Sequence, residues 1–329
     1  VKFVSIHRFL RGFAILTSLG AYLMLVMGTL VTNTGSGHGC GNSWPFCHGE
    51  IIPGVMTVNG IIEYSHRIMS SVDGMLVLIL AICTWIFYRQ DFRAKVFAVL
   101  SILFVLIQGA LGALTVIFGG TLAKNWLLSI HFGLSLIALA FVLLLTIRLF
   151  QIEKESRGEA TMSRQTTKEI RYFIWGLVVY TYLVVYTGAL VAHTGAALSC
   201  GMQVLGCGST YLPSFTSLAG IQMLHRYAAV LLWLVTLAFL VMVLRTVRER
   251  RDLVKGAWWA FVLVTLQAAS GAGIVLSDGQ LLAGIIHVTV ISTYFVVLSY
   301  LCLQIGWPWR QSQPALMLES STARSGHHL

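Results

Sequence analysis

Apolar residues in this chain gather into runs of about 20, long enough to cross a hydrocarbon core roughly 30 Å thick, and the runs recur from one end to the other. They fall at 12–33, 61–88, 95–118, 125–147, 172–192, 219–244, 257–277 and 281–306. None alternates apolar with polar positions as a barrel strand does, and at this length only helices satisfy their own backbone in lipid. The pattern predicts an all-α integral membrane protein with eight transmembrane helices. The first run is too long for a signal peptide and lacks a small-residue cleavage site. It also has a counterpart at 172–192 in mid-chain, so it is read as a helix.

The composition agrees. Of 329 residues, 57% are hydrophobic and 10% charged, against about 25% charged in soluble domains, which excludes a single soluble domain. The net charge of +10 does not point to nucleic acid, because no basic helix or basic patch interleaved with aromatics is present. Except for Arg67, Lys124 and Arg226, every Lys and Arg lies at the N-terminus (Lys2, Arg8, Arg11), in the links 89–95, 148–171 and 245–255, or in the tail. Those segments are expected to face the cytoplasm, with both termini inside and the 33–60 and 193–218 loops outside. The 151–169 stretch reads as a cytoplasmic linker and the tail, 308–329, as disordered.

The chain repeats itself. Gly28-Thr29-Leu30-Val31-Thr32-Asn33-Thr34-Gly35 aligns with Gly188-Ala189-Leu190-Val191-Ala192-His193-Thr194-Gly195, and Cys40 and Cys47 align with Cys200 and Cys207. Ser65-His66-Arg67 matches Leu224-His225-Arg226, the run Gln108–Ala113 matches Gln267–Ala272, and His131 matches His287. A tandem duplication of four helices is the reading, with halves at 1–150 and 170–307. Four is an even number, so the halves enter the membrane in the same sense, as two four-helix bundles related by an axis along the normal.

His66, His131, His225 and His287 each fall in the first turns of an even-numbered helix, so all four share one depth near the outer face. Interhelical hydrogen bonding is the plain explanation for any one of them. Two neutral imidazoles on facing helices of a bundle are also the arrangement that holds a haem iron at both axial positions. Zinc would need further ligands, and only Glu63 lies at that level. Arg67 and Arg226 follow two of the histidines; they are candidates to pair with haem propionates, or they snorkel to the interface. His38, His48 and His193 read as loop residues.

The halves differ at one acid. Glu63 lies three residues before His66, on the same helical face, and its counterpart is Gln222. A carboxylate there can accept a proton or stabilise developing positive charge, or it can bridge to Arg67 at i,i+4. Asp73 lies deeper on that face and reads first as a packing contact, then as a proton relay. The small-residue runs 109–113 and 268–273 permit close helix packing, or room for a flat cofactor. Cys40, Cys47, Cys200 and Cys207 sit in the outer loops, where an oxidising compartment permits disulfides. Cys83 and Cys302 are intramembrane packing residues.

At these residues the chain resembles the haem A synthases. The segments that carry the likeness are Gly28–Thr34 running into Gly35–Cys47, Ile61–Arg67, Ile130–Gly133, Leu224–Arg226 and Ile286-His287. Roughly residues 10–306 are covered, and the bacterial form with a cysteine pair in each half is the nearest match. The resemblance implies oxidation of the C8 methyl of haem O to the formyl group of haem A, with hydroxylated haem I as intermediate. It places substrate haem in the first half with Glu63, His66 and His131 at the catalytic positions, and haem b in the second with His225 and His287 as axial ligands. It implies a multi-pass protein of the cell membrane, an electron acceptor not identified by the sequence, and the synthase supplying haem O as a candidate partner. A di-haem, cytochrome-b-like quinol oxidoreductase is the competing class. A transporter fits less well, because the histidines are far from the midplane. The spacing pairs Cys40 with Cys47 and Cys200 with Cys207, with redox cycling of the first pair as the alternative.

Overall fold

The computed structural model describes residues 2–118, 123–159, 166–208 and 211–306; the tail at 308–329 and part of the linker lie outside them. The eight apolar runs are eight helices: α1 (Lys2–Asn33), α2 (Val58–Phe87), α3 (Phe92–Ile117), α4 (Ala123–Ser156), α5 (Lys168–His193), α6 (Leu218–Thr246), α7 (Arg251–Leu276) and α8 (Leu281–Ile305). All eight are long and apolar enough to span a bilayer. Among the described residues the only β feature is a bridge between Cys47 and Glu50. This is a multi-pass membrane protein.

Polar caps define where several helices begin. Thr57, Asp91, Thr167 and Ser217 accept hydrogen bonds from the backbone N–H of Gly60, Ala94, Ile170 and Gly220, satisfying donors that the first turn leaves without partners. The longest extensions beyond the apolar spans are in α1 and α4. α1 begins well before residue 12, and α4 continues to Ser156 into the stretch expected to be linker. Charge pairing supports both extensions. Arg11 meets Glu153, Glu153 meets Arg157, and Arg148 reaches Asp91 and Glu155.

Helices α1–α4 contact one another in sequence, with α1 closing against α4, and α5–α8 do the same, with α5 closing against α8. Contacts of α4 with α5 and α8, and of α1 with α8, join the two groups. Tyr22 on α1 donates to Thr289 Oγ1 on α8 at 2.8 Å across that seam. A small core of Leu10, Ala14, Leu80, Ala98, Leu145 and Leu149 fills one end of α1–α4. A larger core runs through α4–α8 around Leu136, Ile174, Phe239, Tyr294 and Leu298. Leu19, Leu106, Leu183 and Leu234 point outward, onto a surface that lipid covers at no cost in exposed apolar area.

Candidate functional site

His66 lies on α2, His131 on α4, His225 on α6 and His287 on α8, each within the first three turns of its helix. Every one of the four rings lies against a glycine of the preceding helix. A methyl carbon built on Gly28 or Gly112 would stand 3.5 Å from Cε1 of His66 or His131; one on Gly188 or Gly271 would stand 2.8 or 3.2 Å from Cε1 of His225 or His287. At Gly188 and Gly271 the absence of a Cβ is what lets the ring come so close to its neighbour's backbone, whereas at Gly28 and Gly112 a Cβ would make ordinary contact. His131 lies within electrostatic reach of His66 and of His193, and His287 within reach of His225. All four histidines are half-buried.

The pairs differ at Nδ1. His225 Nδ1 lies 3.0 Å from Thr187 Oγ1. His287 Nδ1 lies 2.9 Å from Ser270 Oγ, and its Nε2 is 2.9 Å from the Gln267 side-chain amide. Nδ1 of His66 and of His131 is buried with no hydrogen-bond partner. Where the second half has Thr187 and Ser270, the aligned positions of the first half are Met27 and Leu111. Gln108, aligned with Gln267, donates to Ser135 on α4 instead of meeting a histidine.

Above each pair sits a disulfide-closed loop. Cys40 is bonded to Cys47 and Cys200 to Cys207, each across seven residues. Gly39 packs the first loop onto the start of α2, where a side chain would collide with the backbone of Asn59 and Gly60. That contact delivers the Cys40 N–H to Glu63 Oε2 at 2.9 Å. Glu63 Oε1 takes Arg67 Nη2 at 2.5 Å, so the i,i+4 bridge that the spacing allows is formed. Arg67 Nη1 donates to the carbonyls of Ser43 and Phe46 at 2.7 and 2.8 Å, inside the disulfide ring.

The second loop is held in a parallel way without the charge. Gln222 Oε1 accepts from the Cys200 N–H and from Ser199 Oγ, both at 3.0 Å. Arg226 Nη1 donates to Gly206 O at 2.8 Å, while its Nη2 is buried and has no partner. Replacing acid by amide at this position thus removes the carboxylate that Arg226 would otherwise meet.

Asp73 is buried on α2 beside Gly20 of α1, with Oδ1 unpartnered. His38 and His48 are exposed in the first loop, and His48 Nε2 engages Gly39 O at 3.0 Å. His193 ends α5, within electrostatic reach of His131, and is not a free loop residue. Cys83 and Cys302 are unpaired and within helices. Among the described residues no three His, Cys, Asp or Glu side chains assemble as a metal-ion ligand set. Two imidazoles per gap fit a haem, whose porphyrin brings the remaining ligands. An arginine N–H left buried beside the second pair fits a carboxylate such as a propionate.

The family model for cytochrome oxidase assembly proteins of the COX15-CtaA type matches residues 11–299. The chain belongs to this family. Its members include proteins named haem A synthase. That of Bacillus mycoides is 38% identical over 297 residues, spanning 90% of this chain and 93% of that protein. That of Shouchella clausii is 38% identical over 301 residues, spanning 91% and 98%. The family match runs from α1 into α8, so it takes in both histidine pairs, both cysteine pairs and Glu63.

The glycines beside the rings and the hydroxyls at Nδ1 are neighbours of the histidines that the sequence does not announce by residue type. Gly28 and Gly188 do open the aligned segments of the repeat, and that shared position is the signal for them. The mismatch of Thr187 with Met27 is visible in the alignment too, but only the structure puts it beside a histidine.

Proposed function

We propose that this chain is a haem A synthase, which oxidises the C8 methyl of haem O to a formyl group by way of hydroxylated haem I. The observation that carries the reading is the placement of two imidazoles in each four-helix group, with Nδ1 partnered in one pair and unpartnered in the other, in a chain whose relatives bear that name. In this reading the chain is a tandem duplication that has divided the work. Helices α1–α4 take haem O between His66 and His131, and α5–α8 keep a haem b between His225 and His287. A haem iron held by two imidazoles supplies one-electron redox chemistry.

The protein's own groups do the rest. Arg226, with one N–H buried and unpaired, binds a propionate carboxylate and orients the resident haem. Arg67 and Glu63 fasten the first disulfide loop over the substrate gap. Both oxygens of Glu63 already accept hydrogen bonds, which favours a fixed negative charge over a proton acceptor. Were the reacting methyl held near Glu63, such a preorganised charge would stabilise positive charge developing there without reorganisation. The disulfide loops face outward, the termini lie in the cytoplasm, and the membrane is the bacterial cell membrane. The electron acceptor and the haem O synthase are the partners this chemistry calls for.

Mass analysis of haems extracted from a haem O-producing host tests the proposal. Expression of this chain should convert haem O to haem I and haem A. Haem b and haem O recovered at unchanged mass would identify a di-haem electron carrier instead.

A further inference from the structure

We infer that Thr187 and Ser270 are positioning residues that lock His225 and His287 in the iron-binding tautomer and make the α5–α8 site a permanent one. By the same logic, Met27 and Leu111 leave the α1–α4 site able to release its haem. The inference rests on the haem assignment above and explains how one duplicated bundle came to hold a cofactor and the other a substrate.

The protons can be followed one by one. Thr187 Oγ1 donates to Val184 O at 2.7 Å, so its single proton is committed to the backbone. With that proton on the shorter contact, its lone pairs face His225 Nδ1 at 3.0 Å, and the ring nitrogen carries the hydrogen between them. Ser270 repeats the device, donating to Gln267 O at 2.9 Å and receiving from His287 Nδ1 at 2.9 Å. Gln267 Nε2 lies 2.9 Å from the far nitrogen of His287, a contact that matches a lone pair on that nitrogen. In both rings Nδ1 is then the donor; the Nε2 lone pair of His225 is open, and that of His287 would pass from the Gln267 amide to a haem iron.

A histidine ligand that donates its second N–H is fixed in orientation and more basic toward the metal. The first pair lacks this support. Met27 and Leu111 offer no hydroxyl, and the buried Nδ1 atoms of His66 and His131 have no partner. Such rings rotate more freely and bind iron less tightly, which suits a haem that must enter as haem O and leave as haem A. The difference lies at two positions outside the ligand set, so the ligands themselves stay identical.

Thr187→Val and Ser270→Ala, made in the full-length protein and purified in detergent, test this by two readouts independent of turnover. Both variants should retain the low-spin bis-histidine spectrum. The haem b midpoint potential should rise, because a less basic imidazole stabilises ferric iron less, and haem b should pass to apomyoglobin on the order of 10-fold faster. Thr187→Ser and Ser270→Thr, which keep the hydroxyl, should match the parent in both. Potentials and transfer rates unchanged in the Val and Ala variants would overturn the inference. Should those variants fail to accumulate, Leu111→Ser decides: slower release of haem O from α1–α4 supports it, and unchanged release overturns it. His225→Ala run alongside separates the two levels. A bis-histidine haem b spectrum that survives His225→Ala defeats the haem assignment itself. Loss of that spectrum, with Thr187→Val and Ser270→Ala unchanged, defeats only the positioning role.

Discussion

Gly188 and His225 approach so closely that a methyl group on the glycine would lie 2.8 Å from the ring, whereas on Gly112 it would lie 3.5 Å from His131. The first distance forces the imidazole to move; the second is ordinary contact. Gly188→Ala should therefore leave the helices intact but displace His225, lowering haem b occupancy on the order of 10-fold. Gly112→Ala should be close to neutral. Haem content per protein, read from the pyridine haemochrome, distinguishes them, and equal occupancy in the two variants would remove the glycine seats from the account. At this scale the sequence displays the histidines, the acid and the arginines by their rarity within apolar helices. It hides Thr187 and Ser270, because hydroxyls inside a membrane helix commonly bond only to their own backbone.

Helices and loops carry their own tests. Closing a ring of this size with Cys200 and Cys207 is worth about 2–3 kcal/mol in the chain-entropy model. The double replacement by Ser should lower the thermal midpoint by that equivalent, with backbone exchange rising across the 199–208 loop. No change in either would assign the bond no structural part. At the other end, Asp91 caps α3 and takes Arg148 Nη2 at 2.6 Å. Burial would raise the Asp91 carboxyl, but hydrogen bonds from Arg148 and the Ala94 N–H, with the charges of Arg148 and Arg93, hold it below the usual range. A lowered folded pKa stabilises the protein above the unfolded value of about 3.9, and the gain is lost as pH falls through the folded value. Asp91→Asn keeps a cap and removes the charge; it should cost roughly 1 kcal/mol or less at neutral pH, given partial exposure. The gap from the parent should close as the pH drops below about 4, and a gap that persists at low pH would contradict the pairing. All eight helices were legible as apolar runs, since lipid demands length and hydrophobicity from each. The ends of α1 and α4 were not, because ion pairs among Arg11, Arg148, Glu153 and Glu155 carry those helices beyond their apolar spans.

Across the whole molecule, internal similarity was legible before any contact was known, because the aligned Gly, Cys, His and Arg positions keep a nearly constant shift along the chain. The departure at Glu63 and Gln222 was equally plain. What it does could not be read from spacing, since the acid both bridges to Arg67 and holds the Cys40 N–H. The structure supplies a control for that ambiguity: Gln222 performs the same service for the Cys200 N–H without a charge. Glu63→Gln should therefore keep the loop, the fold and haem binding while deleting the charge. If Glu63 stabilises positive charge at the reacting methyl, its loss costs roughly 3–4 kcal/mol of barrier, a fall of about 100-fold or more in turnover. The measurement is the haem composition, by mass, of purified Glu63→Gln protein beside the parent from a haem O-producing host. The account predicts haem b and haem O bound in the variant with almost no haem A; haem A at parental levels would contradict it.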